Sequence, residues 1–462
     1  MSQKTSLQED LALFNDIVNQ LLLDENNHPV TQPIPTESLE TEVDLSLNDK
    51  PMLADDYNDA IANLVLKTPK TASPLFFNQL FGGRNGKAIL GDLLAVLLNN
   101  SMYTYKVAGP QVGVEKTLLN KIGEIINYPS DCDGTFAPGG SMSNFMAMVM
   151  ARDAKNLDIR FKGLNSTFTL YTSNQSHYSI PKNAAFIGVG REQVRFIKTN
   201  AKGEMDVADL ELQIQQDIEK GYTPFFVNAT AGTTVLGAFD PVNKMSTVCK
   251  KYQLWLHVDG AYCGAVIFSE KYKHLISGVE KSDSFSVNAH KMLGTPLSCS
   301  IFITPHKKSL HQSFANDAGY LYQTDDDDFN LGKTSIQCGR RNDALKFWTL
   351  WKAVGTNGLE KIVDHQFELA NIARNYIKNN TDYTFYSFDD SISICFNYKD
   401  IPAKKLCTLL YEKSKLVVGF GKVNNQEFIR LVTVNAQNSE TEILHFFKIL
   451  ETFVSENGDL FK

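Results

Sequence analysis

Short apolar segments that alternate with amphipathic helical ones constrain this chain more than any other feature. Between about residues 85 and 350, strand patterns at 168–172, 194–198, 224–228, 254–258, 285–287 and 299–304 alternate with helical patterns at 143–155, 207–220, 241–252 and 343–353. Strands that are apolar throughout are covered on both faces, which requires a mostly parallel sheet with helices above and below. The expected fold class is therefore α/β. In such sheets ligands bind outside the carboxyl ends of the strands. The residues that follow each strand are accordingly the candidate site.

The flanking regions differ. Residues 1–84 are expected to form a helical appendage. Leu7, Leu11, Phe14, Val18 and Leu21 recur at helical spacing, and a second helix is expected at 55–66. An apolar stripe without its own core packs on another domain or subunit, so a dimer contact is expected. Residues 85–355 form the large domain of the expected organisation, and 356–462 a small C-terminal α+β domain. The latter should contain helices at 359–379, 403–415 and 441–455, with strands at 392–398, 417–419 and 428–434.

Composition excludes several classes. The formal net charge is −7, with no basic run, which argues against a nucleic-acid partner. No segment approaches the roughly 18–20 apolar residues of a membrane span. The N-terminus lacks the apolar core of a secretory signal. Seven scattered cysteines, an odd number with no C-x-x-C, fit neither a disulfide framework nor a zinc cluster. Reduced thiols in a cytoplasmic protein are expected. No metal site is expected: the histidines show no H-x-H or H-x-x-x-H grouping, and the acidic run Asp325–Asp328 lacks EF-hand spacing. That run reads as a hydrated loop.

The strand ends carry chemistry. Lys291, in Asn288-Ala-His-Lys291, follows the 285–287 strand and precedes apolar residues. A lysine held there is a candidate for a lowered pKa and Schiff-base chemistry, or else a surface lysine. Asp259 ends the 254–258 strand. It is a turn former, or a carboxylate that keeps a cofactor nitrogen protonated. Pro138-Gly-Gly-Ser-Met-Ser143 opens a helix, either as a phosphate cradle or as a Gly-Gly turn with a serine cap. It does not have the P-loop pattern. His177 follows the 168–172 strand, and the small residues of Thr230-Ala-Gly-Thr-Thr234 follow the 224–228 strand. Together these supply a lysine, an acid, a histidine and an anion cradle, the inventory for pyridoxal 5′-phosphate.

These motifs resemble the group II pyridoxal-phosphate decarboxylases, in the branch acting on glutamate, cysteine sulfinate and aspartate. Further matches are Pro74-Leu-Phe-Phe-Asn-Gln79, Phe136–Asn144, Ala229–Pro241, Gln337–Trp348 and Phe428-Ile-Arg-Leu431, so the likeness spans roughly residues 55–455. The resemblance implies a fold-type-I transferase-like architecture and a homodimer with its active site near the subunit interface. It implies that Lys291 carries the cofactor, Asp259 pairs with the pyridine nitrogen, and His177 stacks on the ring. Met142 (through its backbone), Ser143, Asn288 and His290 would serve the phosphate, with Thr234 near the ring. Tyr320 matches the loop tyrosine that protonates the decarboxylated carbon. Gln79 and Arg430 match residues that contact the acidic side of an amino-acid substrate. The pair Ser101 and Tyr103 resembles the cysteine-sulfinate and aspartate enzymes, whereas glutamate decarboxylases tend to have Asn and Phe there.

The expected reaction is decarboxylation of a short acidic amino acid. Glutamate is the alternative, with diaminobutyrate or an aromatic amino acid behind it. An aminotransferase, and a non-catalytic relative that only binds partners, are the rival classes. Three features depart from the family. Ala289 stands where proline is usual and is expected to loosen the turn before Lys291. Gly260 replaces a common alanine, which implies a packing change. The loop from Tyr320 to Gln337 is shorter and carries the four aspartates.

Overall fold

The alternating segments build one seven-stranded sheet. In the computed structural model, which describes residues 3–316, 322 and 327–461, its strands are β1 (Asp133–Ala137), β2 (Phe168–Ser173), β3 (Val194–Ile197), β4 (Thr223–Thr230), β5 (Trp255–Gly260), β6 (Ser284–Asn288) and β7 (Ser300–Thr304). Their spatial order is β1-β7-β6-β5-β4-β2-β3. The pairs β2/β3, β2/β4, β4/β5 and β5/β6 are parallel, whereas β7 runs antiparallel to both β6 and β1. The carboxyl ends of β1, β2, β4, β5 and β6 therefore lie along one edge. The expected α/β class with a mostly parallel sheet is what the chain forms.

Alternate residues of each strand feed different layers. Phe226, Trp255 and Phe302 pack with Met146, Ala147 and Met150 of the Gly140–Lys155 helix. Val227, Leu256 and Val258 face the other way, into a core that continues to Leu359, Phe396, Ile429 and Phe446. Neither face of the sheet is left to water, as the unbroken apolar strands require.

The second sheet contains β8 (Tyr383–Phe385), β9 (Ser393–Tyr398), β10 (Gly419–Val423) and β11 (Gln426–Val432), all antiparallel, in the order β10-β11-β9-β8. The strand expected at 417–419 is displaced. Val417 instead makes an isolated parallel bridge with Phe76. β10 and β11 form a hairpin whose two loop residues, Asn424 and Asn425, have φ of 49° and 67°. Asparagine tolerates the positive φ that a two-residue turn demands at both positions. The helices expected at 343–353 and 359–379 run together as Ala344–Lys378, interrupted where Gly355 takes φ 68° and ψ 176°. The Gln3–Asn27 helix leaves Leu7, Leu11 and Phe14 exposed.

Among the described residues, no helix is long and apolar enough to cross a membrane, and no group of three His, Cys, Asp or Glu side chains is placed to hold a metal ion. All seven cysteines are free thiols. Tyr320, Asp325 and Asp326 lie outside the described residues. Asp327 is paired with Lys333 at 2.5 Å.

Candidate active site

Five strands converge on a cavity of about 210 Å³ whose wall includes Gly140, His177, Thr234, Asp259, Asn288, His290 and Lys291. Lys291 comes from the turn after β6. Burial lowers its amine pKa below the ordinary lysine value, and the nearby charge of Asp259 opposes that effect. A deprotonated, nucleophilic amine is thereby favoured. The turn is tied down on several sides. The Lys291 N–H donates to Asn288 O at 3.1 Å, and Gln366 Nε2 donates to Met292 O at 2.5 Å.

Ala289 corrects an expectation. Its backbone N–H donates to Cys299 O at 2.9 Å, a bond that proline has no hydrogen to make. The alanine therefore ties the turn rather than loosening it. Gly260 is also constrained: a Cβ there would lie 2.7 Å from both the Phe285 ring and Ser286 O.

Asp259 is only 4% exposed. Its Oδ2 accepts from Asn144 Nδ2 at 2.8 Å and its Oδ1 from the Ala261 N–H at 3.1 Å. Among the described residues it has no cationic partner within ion-pair distance. A buried carboxylate in that state suits a protonated ring nitrogen in the cavity. His177 Nδ1 is 2.8 Å from Ser179 Oγ. Burial lowers its pKa, Asp259 raises it and Lys291 lowers it further. The net lowering favours the neutral imidazole.

A second part of the wall suits an anion. The Cys299 N–H donates to His290 Nδ1 at 2.9 Å, so the His290 proton sits on Nε2. Burial, reinforced by Lys291, pulls the pKa of His290 down to about 4. Asn288 Oδ1 is buried without a hydrogen-bond partner, and the amide lies 3.4 Å from His290 Nε2. The amide orientation that satisfies both groups has Oδ1 accept that proton and Nδ2 donate into the cavity. Gly140 begins a helix that has no side-chain cap, beside this amide. A Cβ at Gly140 would stand 2.9 Å from Asn288 Nδ2 and 3.0 Å from Ala261 Cβ, so glycine keeps the space open. Helix N–H groups and amide donors without a facing carboxylate fit a phosphate. Amine, unpaired carboxylate and anion cradle together fit pyridoxal phosphate.

The structure does not bring every expected residue to this cavity. The wall on the Gly140–Lys155 helix is Gly140, Ser141 and Asn144, whereas Met142 and Ser143 are turned away from it. Ser143 is fully buried, with its hydroxyl 3.5 Å from Gly139 O. Helical spacing is the reason, because residues four apart share a face. Gln79 is exposed and away from the wall. Ser101 accepts long bonds of 3.4 Å from the N–H groups of Tyr103 and Arg340. The Tyr103 ring stacks on Tyr322 at 5.5 Å. Arg430 stands behind the rim. Its Nη1 donates to Thr234 O at 2.8 Å and its Nη2 to Asn78 O at 2.7 Å, while Nε is buried without a partner.

Asn144 is the residue that strand-end reasoning missed. Its position four residues after Gly140 was the available signal.

Residues 35–399 match the profile of the pyridoxal-dependent decarboxylase conserved domain. The chain belongs to this family. This decarboxylase is 35% identical over 444 residues to the mouse acidic amino acid decarboxylase GADL1, covering 90% of this chain and 80% of the relative. It is 40% identical over 333 residues to human cysteine sulfinic acid decarboxylase, covering 71% of this chain and 67% of the relative. The crystal structure of mouse CSAD superimposes with a TM-score of 0.94 at 32% identity, covering 98% of this chain and 99% of that one. The decarboxylase uses pyridoxal phosphate and acts on an amino acid.

Proposed function

We propose that the enzyme removes the α-carboxylate of a short acidic L-amino acid, cysteine sulfinate or aspartate, giving an amine and carbon dioxide. The observation that carries this reading is the meeting of Lys291, Asp259 and the donor-lined cradle in one cavity, in a chain whose relatives are named for acidic substrates. The Ser101 and Tyr103 pair favours the shorter acids. Bound in the cavity, pyridoxal phosphate supplies an electron sink for the breaking carbon–carbon bond.

The protein's own groups do the rest. Lys291 would hold the cofactor through its buried amine, the group that a substrate amine would replace. Asp259 would pair with the ring nitrogen and favour its protonated form. His177, in the cavity wall, would cover one face of the ring. Asn288, His290 and the first turn of the Gly140–Lys155 helix, at Gly140 and Ser141, would anchor the phosphate, whereas the Met142 and Ser143 N–H groups are already bonded to Gly139 O. Thr234 lies at the rim, where Arg430 clamps its carbonyl. The N–H groups of Arg430 that remain after this clamp are a fork for the substrate's second acid, with Gln79 as an accessory contact. Tyr320 delivers the proton to the decarboxylated carbon.

Incubating the holoenzyme separately with cysteine sulfinate, aspartate, glutamate and diaminobutyrate should give hypotaurine or β-alanine fastest. Faster release of γ-aminobutyrate would overturn the short-acid assignment, and keto-acid formation without carbon dioxide would overturn decarboxylation. Tyr320→Phe should lower amine yield per carbon dioxide released; an unchanged ratio removes Tyr320 from the protonation step.

We read the working form as a cytoplasmic homodimer with its active site near the subunit interface. The Gly86–Leu98 helix supports this, with Leu90, Leu94, Leu97 and Leu98 each at least 40% exposed. A face of that kind is costly to leave in water. Sedimentation of the holoenzyme at the monomer mass would reject the dimer. The division into 1–84, 85–355 and 356–462 is part of the same reading, and the helix break at Gly355 supports its second boundary. Limited proteolysis that spares both junctions would count against it.

A further inference from the structure

Beneath the cavity, one face of β5 carries Trp255, His257 and Asp259 at alternate positions, under the Gly140–Lys155 helix. We propose that Ser284, His257 and Asn144 are positioning residues in a one-way hydrogen-bond chain that begins at the Trp255 indole and orients the Asn144 amide toward Asp259 and Ser179. The proposal rests on the roles assigned above to Asp259 and His177.

The two ends set the direction: the Trp255 indole can only donate, and the Asn144 amide donates Nδ2 to the Asp259 carboxylate, which leaves Oδ1 to accept from a neutral His257. Trp255 Nε1–H donates to Ser284 Oγ at 2.9 Å. The serine proton then goes to His257 Nδ1, 2.8 Å away. Nδ1 is thus an acceptor, and the ring carries its proton on Nε2. That proton goes to Asn144 Oδ1 at 3.0 Å. With its oxygen committed, the amide presents Nδ2 to Asp259 Oδ2 at 2.8 Å and to Ser179 Oγ at 2.9 Å. Ser179 accepts this bond and turns its own hydroxyl proton to His177 Nδ1 at 2.8 Å, with its backbone N–H at 3.2 Å from the same atom. The outcome at the cavity is a carboxylate held by a donor and a His177 ring whose proton is on Nε2. The opposite amide orientation would set Oδ1 against the Asp259 carboxylate, two acceptors at contact distance.

A histidine that merely fills space is the bland alternative. His257 is fully buried between the rings of Phe226 and Phe302, at 6.0 and 6.1 Å. Burial keeps it neutral, with its pKa pulled down to about 4. An all-aromatic core would accept phenylalanine there without desolvating two polar nitrogens. What imidazole adds is a donor on one side and an acceptor on the other. β5/β6 pairing sets His257 opposite Ser284, and the helix sets Asn144 above it.

The test compares cofactor dissociation constants and kcat and KM for the wild-type holoenzyme and four variants reconstituted with pyridoxal phosphate. His257→Phe should weaken cofactor binding roughly ten- to hundredfold, as expected for loss of an outer partner of a charged group. It should lower kcat more than it raises KM. His257→Gln, which keeps an N–H for Asn144, should recover most of the loss. Ser284→Ala should show a smaller loss in the same direction, and Asp259→Asn the largest. Wild-type cofactor affinity in His257→Phe beside an impaired Asp259→Asn overturns the chain alone. Wild-type behaviour in both overturns the site reading as well. A glutamine variant that melts like wild type but binds as weakly as the phenylalanine one also overturns the chain. If His257→Phe does not fold, Ser284→Ala decides, and wild-type affinity there rejects the proposal.

Discussion

Replacing Lys291 with alanine is expected to lower turnover by at least roughly a thousandfold and to leave the fold intact. The backbone of its turn is held by other residues, through Ala289 N–H to Cys299 O, Thr295 N–H to Ala289 O, and Gln366 to Met292 O. Truncation therefore removes the amine without releasing the loop. The amine is desolvated, and its pKa lies below that of the unfolded chain. Between those two values the unfolded state binds more protons, so this group's contribution to stability rises with pH. The cofactor-free wild-type protein should gain stability as the pH rises toward about 10.4 in a way the alanine variant does not. At pH 7 the cofactor-free variant should melt no lower than the wild type. The visible absorbance of the covalently attached cofactor should vanish. Turnover that survives with the absorbance lost would end the assignment of Lys291, whereas a lower melting temperature would attribute the loss to unfolding.

The strand-end residues were legible because the signal is local. A buried apolar run followed by Asp259, or by Asn288-Ala-His-Lys291, tells where a side chain emerges. Direction is not local. Nothing in 299–304 distinguishes an antiparallel strand from a parallel one, and the short polar β1, Asp133–Ala137, has a loop-like composition. The chain under the cavity was half visible. Trp255, His257 and Asp259 alternate in the sequence, but Ser284 joins them only through the β5/β6 register. Asn144 joins them only through the placement of a helix. Resemblance supplied Ser101, Tyr103 and Gln79, which lie off the cavity wall of their own chain. A motif match carries a residue's type and number, but the packing decides which wall it reaches. The same limit applies to Met142 and Ser143, where the matched motif contains the helix start but the helical phase selects Gly140, Ser141 and Asn144.

Asp259→Asn is expected to reduce kcat by roughly a hundred- to several-thousandfold, the scale set by breaking a buried charge pair at about 3–5 kcal/mol. Cofactor affinity should fall with it. The substitution removes the charge that keeps the ring nitrogen protonated, and it also disturbs its surroundings. Asn144 Nδ2 now donates to Asp259 Oδ2, so an amide at 259 can keep that bond only by turning its oxygen toward Asn144. Its own NH₂ would then meet the Ala261 N–H, which Oδ1 now accepts at 3.1 Å. One of the two bonds is lost in either orientation. This makes the loss coupled. If Asn144 acts through Asp259, Asn144→Ala should cost roughly tenfold in kcat in the wild-type background and little more once residue 259 is already asparagine. A double-mutant cycle on kcat reads the coupling directly. Full additivity would mean that Asn144 serves the helix and not the carboxylate, and an Asp259→Asn enzyme with wild-type kcat would show that the ring nitrogen is held by something else.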